Sequence, residues 1–425
     1  MTRDAGTARA EAPAVNSPES LRILMVIHTH WTRDLGAPRV QLELAEELRA
    51  LGHQVDKFSY DDAFPRLAAP RVRAGAFAAR LRAYLASNLS FAERAAAYVR
   101  RHAGRFDVID AHQTDLPFAK RRLGFTGLLV ARSVGLIPAY HDFERFAAAR
   151  WPEPASARQL ARRLLTWPGY RRRLRDVARS FRHADLINVS NADDRRTVAD
   201  SMGFGSKVVM FPFGLSEVRR AAFLGERASA QDRLAARTVA FIGAWNSRKG
   251  AKDWPHIVER VLARLPEARF LMLGTGHTAE YVLKDFPPAL RSAVEVVPGY
   301  RSDELPGLLA PVTVGAFPGY LEGFGFAVLE KLAAGLPTAA YDAPGAREMM
   351  RRLSSPSTVP PGDIAGFADL LVHLLTLPAA RYAERAVDST RVAGQFSWRE
   401  IARATSAAYL EAWERLHKAR PRRAA

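Results

Sequence analysis

The sequence predicts an α/β protein made of two consecutive Rossmann-like, doubly wound units. Two observations predict this. Short, nearly continuous apolar runs recur along the chain, each followed by a turn or loop and an amphipathic segment, as buried parallel strands alternating with covering helices require. The alternation also breaks once, over GLSEVRRAAFLGERASAQDRLAAR (residues 214–237), and then restarts.

The first series begins with LRILMVIH (21–28), whose unbroken apolar character fits a strand covered on both faces. APRVQLELAEELRALGH (37–53) follows as an amphipathic helix stopped by Gly52. DKFSY, FDVIDAH, TGLLVARS, ADLINVS and KVVMFPFG continue as strands, each bounded by helical or turn segments. The second series runs RTVAFIGA, ARFLMLGTG, AVEVVPGY, VTVGAFPG and PTAAYDAP. Between the last two, FAVLEKLAAGLP reads as a short helix ended by Gly335 and Pro337. FSWREIARATSAAYLEAWERL (396–416) closes the chain as one long amphipathic helix ahead of a basic tail. In folds of this type ligands lie beyond the carboxyl ends of the strands, so two such units place the site in the cleft between them.

With 425 residues, 48% of them hydrophobic and 25% charged, the chain can bury two sizeable cores. The absence of cysteine excludes disulfides, thiolate nucleophiles and thiolate metal sites. No apolar run approaches the roughly 20 residues of a membrane-spanning helix, and the opening residues lack a signal-peptide core, so a cytoplasmic protein is expected. The net charge of +18 is uneven. Between Arg158 and Arg182 the only acid is Asp176, with Trp167, Tyr170 and Phe181 interleaved. A solvated arginine-rich face is the default reading of this stretch, and an anionic membrane surface competes with it. Nucleic acid is not an expected partner, because no nucleic-acid-binding motif accompanies the charge.

EGFGFAVLE (322–330) sets two glutamates eight positions apart around a Gly-aromatic-Gly turn. The free N–H groups at such a turn and helix start can bind an anion, and carboxylates beside them can accept hydrogen bonds from sugar hydroxyls. FIGAWNSRKG (241–250), VEVVPGYRSDELPGLLA (294–310) and APGAREMM (343–350) occur in the same half, with HADLINVSNADDRRTVADSMGFGSKVVMFPFGL (183–215) in the first. Together, in this order, these segments resemble the GT-B glycosyltransferases of family 4, a retaining group that uses nucleotide-diphosphate sugars. The likeness runs from about Leu21 to Leu416.

The resemblance implies a tail over residues 1–20, an acceptor-side unit over 21–216 and a donor-binding unit over 217–395. From 396 to 425 it implies a helix crossing back onto the first unit, then the tail. It implies a retaining, hexosyltransferase-type activity in which the donor is a nucleotide-diphosphate sugar and the acceptor a glycan or lipid-linked intermediate of envelope polysaccharide or lipopolysaccharide. Glu330 would hold the ribose. The Gly323, Phe324, Gly325 and Phe326 turn would meet a phosphate, and Tyr300 and Arg301 would lie by the base. Glu322 would face the transferred sugar, and Lys249 would stabilise charge growing on the leaving diphosphate. Gly36 and Ala37 stand in the family's glycine-rich first loop. Because the partners of Glu330 and Lys249 are expected on the ligand, replacing either should spare stability.

Three positions depart from the family. Ala37 replaces a glycine, Ala244 an arginine five positions before Lys249, and Val134 an active-site histidine. Arg248 and Arg132 are the expected substitutes for the last two. His28 and His30 end the first strand with no third metal ligand in view, and no Asp-x-Asp motif stands in a suitable setting, so neither a metal nor another cofactor is expected. Two rival readings remain. Gly274, Gly276, Ala279 and Glu295 fit a relaxed dinucleotide fingerprint. The three departures also fit a GT-B protein that binds nucleotide without turnover as a subunit of a glycan assembly complex.

Overall fold

The structure, a computed structural model, describes residues 20–33, 36–65, 77–152 and 157–418, with side chains for all of these except 77–89 and 157–167. The tail, the loop residues Asp34 and Leu35, Trp167 and most of a second basic stretch, PRLAAPRVRAGAFAARLRAYL (65–85), which carries the same expectation of an anionic membrane surface, therefore lie outside the described residues or side chains.

Among the described residues, twelve strands form two parallel six-stranded sheets. In the first, β1 (Arg22–Val26), β2 (Gln54–Phe58), β3 (Val108–His112), β4 (Leu128–Arg132), β5 (Leu186–Val189) and β6 (Val208–Met210) lie in the order β2-β1-β3-β4-β5-β6. In the second, β7 (Thr238–Ile242), β8 (Arg269–Leu273), β9 (Val294–Val297), β10 (Val314–Phe317), β11 (Thr338–Tyr341) and β12 (Thr358–Val359) lie in the order β12-β11-β10-β7-β8-β9. The predicted α/β fold of two doubly wound units is thus observed. The sequence pattern follows position in the sheet. Central β3 and β4 are buried at every residue, whereas edge strand β2, QVDKF, exposes alternate residues.

Strand order reverses between β1 and β3 in one sheet and between β10 and β7 in the other. Loops leaving the two strands at such a switch point diverge to opposite faces and open a crevice. The loops after β1, β7 and β10 line one shared cavity.

The interruption at 214–237 forms two short helices, Glu217–Gly225 and Ala230–Ala236, each capped by a serine that accepts a backbone N–H. The closing helix, Trp398–Lys418, buries Trp398, Ile401, Ala402, Thr405, Tyr409 and Ala412 at helical spacing. That face packs on the first unit: Ser406 Oγ is 2.7 Å from His53 Nε2, and Tyr409 Oη donates to Asp110 Oδ2 at 2.5 Å. Among the described residues no single helix is long and apolar enough to cross a membrane.

Candidate active site

Lys249 is placed by backbone geometry. Asn246 Oδ1 accepts from the Lys249 amide at 3.1 Å, and Gly250 follows at φ +86°, where a Cβ would strike the Pro318 carbonyl. This close approach joins the loops after β7 and β10, and the Tyr320 amide donates to the Arg248 carbonyl at 2.9 Å. Lys249 Nζ then reaches Glu322 Oε1 at 2.6 Å, and the Arg248 guanidinium bonds the same oxygen. Burial pushes the Glu322 carboxyl up, but the charges of Lys249 and Arg248 and their hydrogen bonds outweigh it, so its pKa falls below the ordinary glutamate value.

Gly325 is the N-cap of the helix Phe326–Ala333, at φ +90°. With no capping side chain, the first helical N–H groups are left without competition for an external anion. Gly323 is required for a different reason: a Cβ there would run into the Val134 carbonyl of the first unit. The Gly323 carbonyl accepts from Ser190 Oγ at 2.8 Å and Asn191 Nδ2 at 2.5 Å, so the turn is also where the two units touch.

Glu330, one turn into that helix, is 5% exposed. Its Oε1 accepts from Arg39 Nη1 and from Arg219 Nη2, both at 2.9 Å. Burial raises its pKa, yet Arg39 and Arg219 prevail and hold it below the usual value. The cavity, about 520 Å³, is lined by Lys249, Glu322, Gly323, Phe324, Gly325, Phe326, Glu330, Tyr300, Gly36 and Ala37, together with Arg39, Arg219, Tyr140 and Val134. Tyr300 owes its position to Gly274, whose Cβ would lie 3.1 Å from the ring.

Three expected site residues are placed elsewhere. Arg132 is fully buried, its Nη2 donating to Asp110 Oδ2 at 2.7 Å and Tyr409 Oη at 2.9 Å; it locks the closing helix to β3 and β4 and does not line the cavity. Arg248 turns behind Glu322, donating to the Leu321 carbonyl at 2.8 Å with its guanidinium 5.1 Å from the Tyr140 ring centroid. Arg301 is exposed and ion-paired with Asp303. The expectation that stability is indifferent to Glu330 is corrected too, because its partners are protein groups.

The two histidines separate. His30 Nδ1 meets Asp61 at 2.6 Å, while His28 Nδ1 meets Asp115 Oδ1 at 2.7 Å, with His112 Nδ1 3.6 Å from the same oxygen. A set of three candidate ligand atoms within 4.8 Å of one another therefore exists where none was expected. Asp115 also accepts from the His28 amide at 2.8 Å and from Thr114 Oγ1 at 3.0 Å, as a hydrogen-bonded triad would. Gly274 and Gly276 of the dinucleotide reading line the same cavity, but they follow β8 and not β7, the first strand of this unit, and Glu295 is exposed on β9.

Arg39 and Arg219 were not legible as site residues. Each lies in the first turn of its helix, Gly36–Ala50 and Glu217–Gly225, where a cation opposes the helix dipole. Both are held there by the Glu330 carboxylate, which only the fold brings within reach.

A family model described as "Glycosyltransferase Family 4" matches residues 36–217, and one described as "Glycosyl transferases group 1" matches residues 236–377. The chain belongs to glycosyltransferase family 4, with the GT-B fold. This family 4 chain is 27% identical over 340 residues to the MMP alpha-(1->4)-mannosyltransferase of Mycolicibacterium hassiacum, covering 77% of this chain and 76% of that one. It spans only 44% of the length of a Mycobacterium tuberculosis glycogen synthase, at 25% identity over 43% of its own length. Among solved structures, the fold resembles sucrose-phosphate synthase from Thermosynechococcus elongatus, with a TM-score of 0.68 and 18% identity over 92% of this chain and 98% of that one. It also resembles Anabaena HepE, solved in complex with UDP-glucose, with a TM-score of 0.61 and 16% identity over 91% and 98% of the two chains.

Proposed function

We propose that the protein transfers a sugar from a nucleotide-diphosphate sugar to a glycan or lipid-linked acceptor, with retention of anomeric configuration. The observation that carries this reading is the gathering of Glu330, Lys249 and Glu322 around the uncapped amino end of the helix Phe326–Ala333 in one cavity. The UDP-glucose complex of the similarly folded HepE supports a nucleotide-sugar ligand for such a cleft.

In this reading Glu330 accepts the ribose hydroxyls and Tyr300 flanks the base. The helix amides and Lys249 receive the diphosphate, and their positive field strengthens in effect as the sugar–phosphate bond breaks and charge moves onto the leaving oxygen. Glu322, kept ionised by Lys249, lies where positive charge develops at the anomeric carbon. The leaving phosphate takes the acceptor proton on the same face, so no separate base is required. Charge neutralisation falls to side chains and the helix end, without a metal or other cofactor.

The experiment has two stages. A thermal-shift screen over UDP-, GDP- and ADP-sugars should select one nucleotide series by raising the melting temperature. Transfer with that donor should then proceed in EDTA. Selection of a donor without turnover would support the alternative, a nucleotide-binding subunit. Loss of activity in EDTA, restored by manganese or magnesium, would contradict the metal-free chemistry.

The acceptor is proposed to be presented at the inner face of the cell membrane during envelope glycan assembly, with the enzyme cytoplasmic and peripheral. Arg171, Arg172, Arg173, Arg175, Arg179 and Arg182 are exposed, whereas Phe181 belongs to the core. Attraction is therefore electrostatic, about 1 kcal/mol for each basic residue near an anionic leaflet. The protein should pellet with anionic vesicles at low salt and be released as ionic strength rises. Equal behaviour with neutral vesicles would remove the membrane from the account and leave the transferase intact.

A further inference from the structure

The proposed diphosphate site has few free cations of its own in the second unit. Ala244 supplies none, and Lys249 is already paired with Glu322. Arg248 is tied to Glu322 and to the Leu321 carbonyl and is not among the residues that line the cavity.

Arg39 enters the same cavity from the first unit. It is 7% exposed, its Nη1 donates to Glu330 Oε1 at 2.9 Å and its Nε to Glu43 Oε1 at 3.0 Å. Its Nη2 is buried and has no hydrogen-bond partner among the described residues. A buried guanidinium N–H left unpaired is costly and calls for an acceptor. Cζ lies 5.0 Å from the ring centroid of Phe326, the first residue of the helix whose amides face the phosphate position. Arg219, on the same Glu330 oxygen, also has a buried N–H, at Nε, with no partner among the described residues.

We propose that Arg39 is the second diphosphate-binding cation of this protein, stored on Glu330 in the free cleft and handed to the diphosphate when the ribose takes Glu330. This rests on the transferase reading above. The exchange conserves pairing. Neutral ribose hydroxyls replace Arg39 at the carboxylate, Arg219 stays on it, and the anionic diphosphate replaces the carboxylate at the Arg39 guanidinium. Glu43 stays on Nε throughout, itself held by Trp398 Nε1 through its other oxygen. The stem of Arg39 is thus fixed while its Nη end turns. Because Arg39 belongs to the first unit and Lys249 to the second, a bound diphosphate also ties the two together.

The test is calorimetric titration of nucleoside, nucleoside monophosphate and nucleoside diphosphate in the uridine, guanosine and adenosine series. The proteins are the wild type, R39K, R39Q and R39Q/A244R, with folding checked by circular dichroism. In the wild type, affinity should rise with each phosphate. R39Q should keep nucleoside affinity and lose about tenfold or more for the diphosphate. R39K should keep part of that increment, and A244R should restore it in the R39Q background. A uniform loss across all three ligands, or an unchanged diphosphate affinity, overturns the proposal and leaves Arg39 a packing residue. If R39Q does not fold, R39K must keep nucleoside affinity and lose part of the diphosphate increment; an unchanged diphosphate affinity, or a uniform loss across the three ligands, in R39K also overturns it. A wild type that binds no nucleotide in any series overturns the transferase reading itself, and this inference with it.

Discussion

Glu330→Ala is expected to abolish donor binding and to destabilise the fold by about 3–5 kcal/mol, the usual cost of removing one partner from a buried ion pair. Its Oε1 carries both Arg39 and Arg219, and Arg39 is almost wholly buried. Deleting the carboxylate leaves two guanidinium groups competing for the remaining acceptors. Among the described residues Arg39 keeps Glu43, and Arg219 keeps the Ser302 carbonyl and the Phe223 ring. Urea unfolding should show a lowered midpoint with an unchanged slope. Removing Arg39 as well, as Glu330→Ala with Arg39→Met, should recover part of the loss, because no charge is then stranded at that site. A Glu330→Ala protein as stable as the wild type would mean that the two arginines find other partners, and the ion-pair account of this site would be wrong.

Lys249→Ala should behave in the opposite way. Lys249 Nζ contacts Glu322, which retains Arg248 on the same oxygen, so little is stranded when the lysine is removed. Stability should fall by no more than about 1 kcal/mol. The rate should suffer far more. A single preorganised donor at developing negative charge is worth about 100- to 1000-fold, and the loss should fall on kcat more than on KM for the donor. Full activity at limiting donor would remove Lys249 from the chemistry.

The fold was legible because parallel strands buried on both faces must be continuous apolar runs, as LRILMVIH and RTVAFIGA are. β12 was not anticipated: two residues, Thr358–Val359, between prolines carry no periodic signal. The backbone-defined part of the site was also legible. Gly323, Gly325 and Lys249 occupy turns whose glycines are imposed by contact with Val134, by left-handed geometry at the N-cap and by the approach of Pro318. Arginines were where sequence reasoning failed in both directions. Adjacency to a motif does not fix where a long side chain points, so Arg248, Arg132 and Arg301 were assigned to the cleft and lie on Glu322, Asp110 and Asp303. Arg39 was passed over as an ordinary helix residue, and Arg219 as part of the interruption between the two series. Only the fold brings Arg39 to Glu330 across 291 positions of sequence.

The central claim is that one interdomain cavity takes a nucleotide-diphosphate sugar with its ribose on Glu330. A crystal structure of the full chain with the donor selected by thermal shift tests it most directly. The account predicts ribose hydroxyls on the Glu330 carboxylate, a phosphate oxygen on the amides at Gly325 and Phe326, and Lys249 on the diphosphate. A nucleotide bound elsewhere, or in this cavity with Glu330 still held by both arginines and the ribose away from it, would contradict the account.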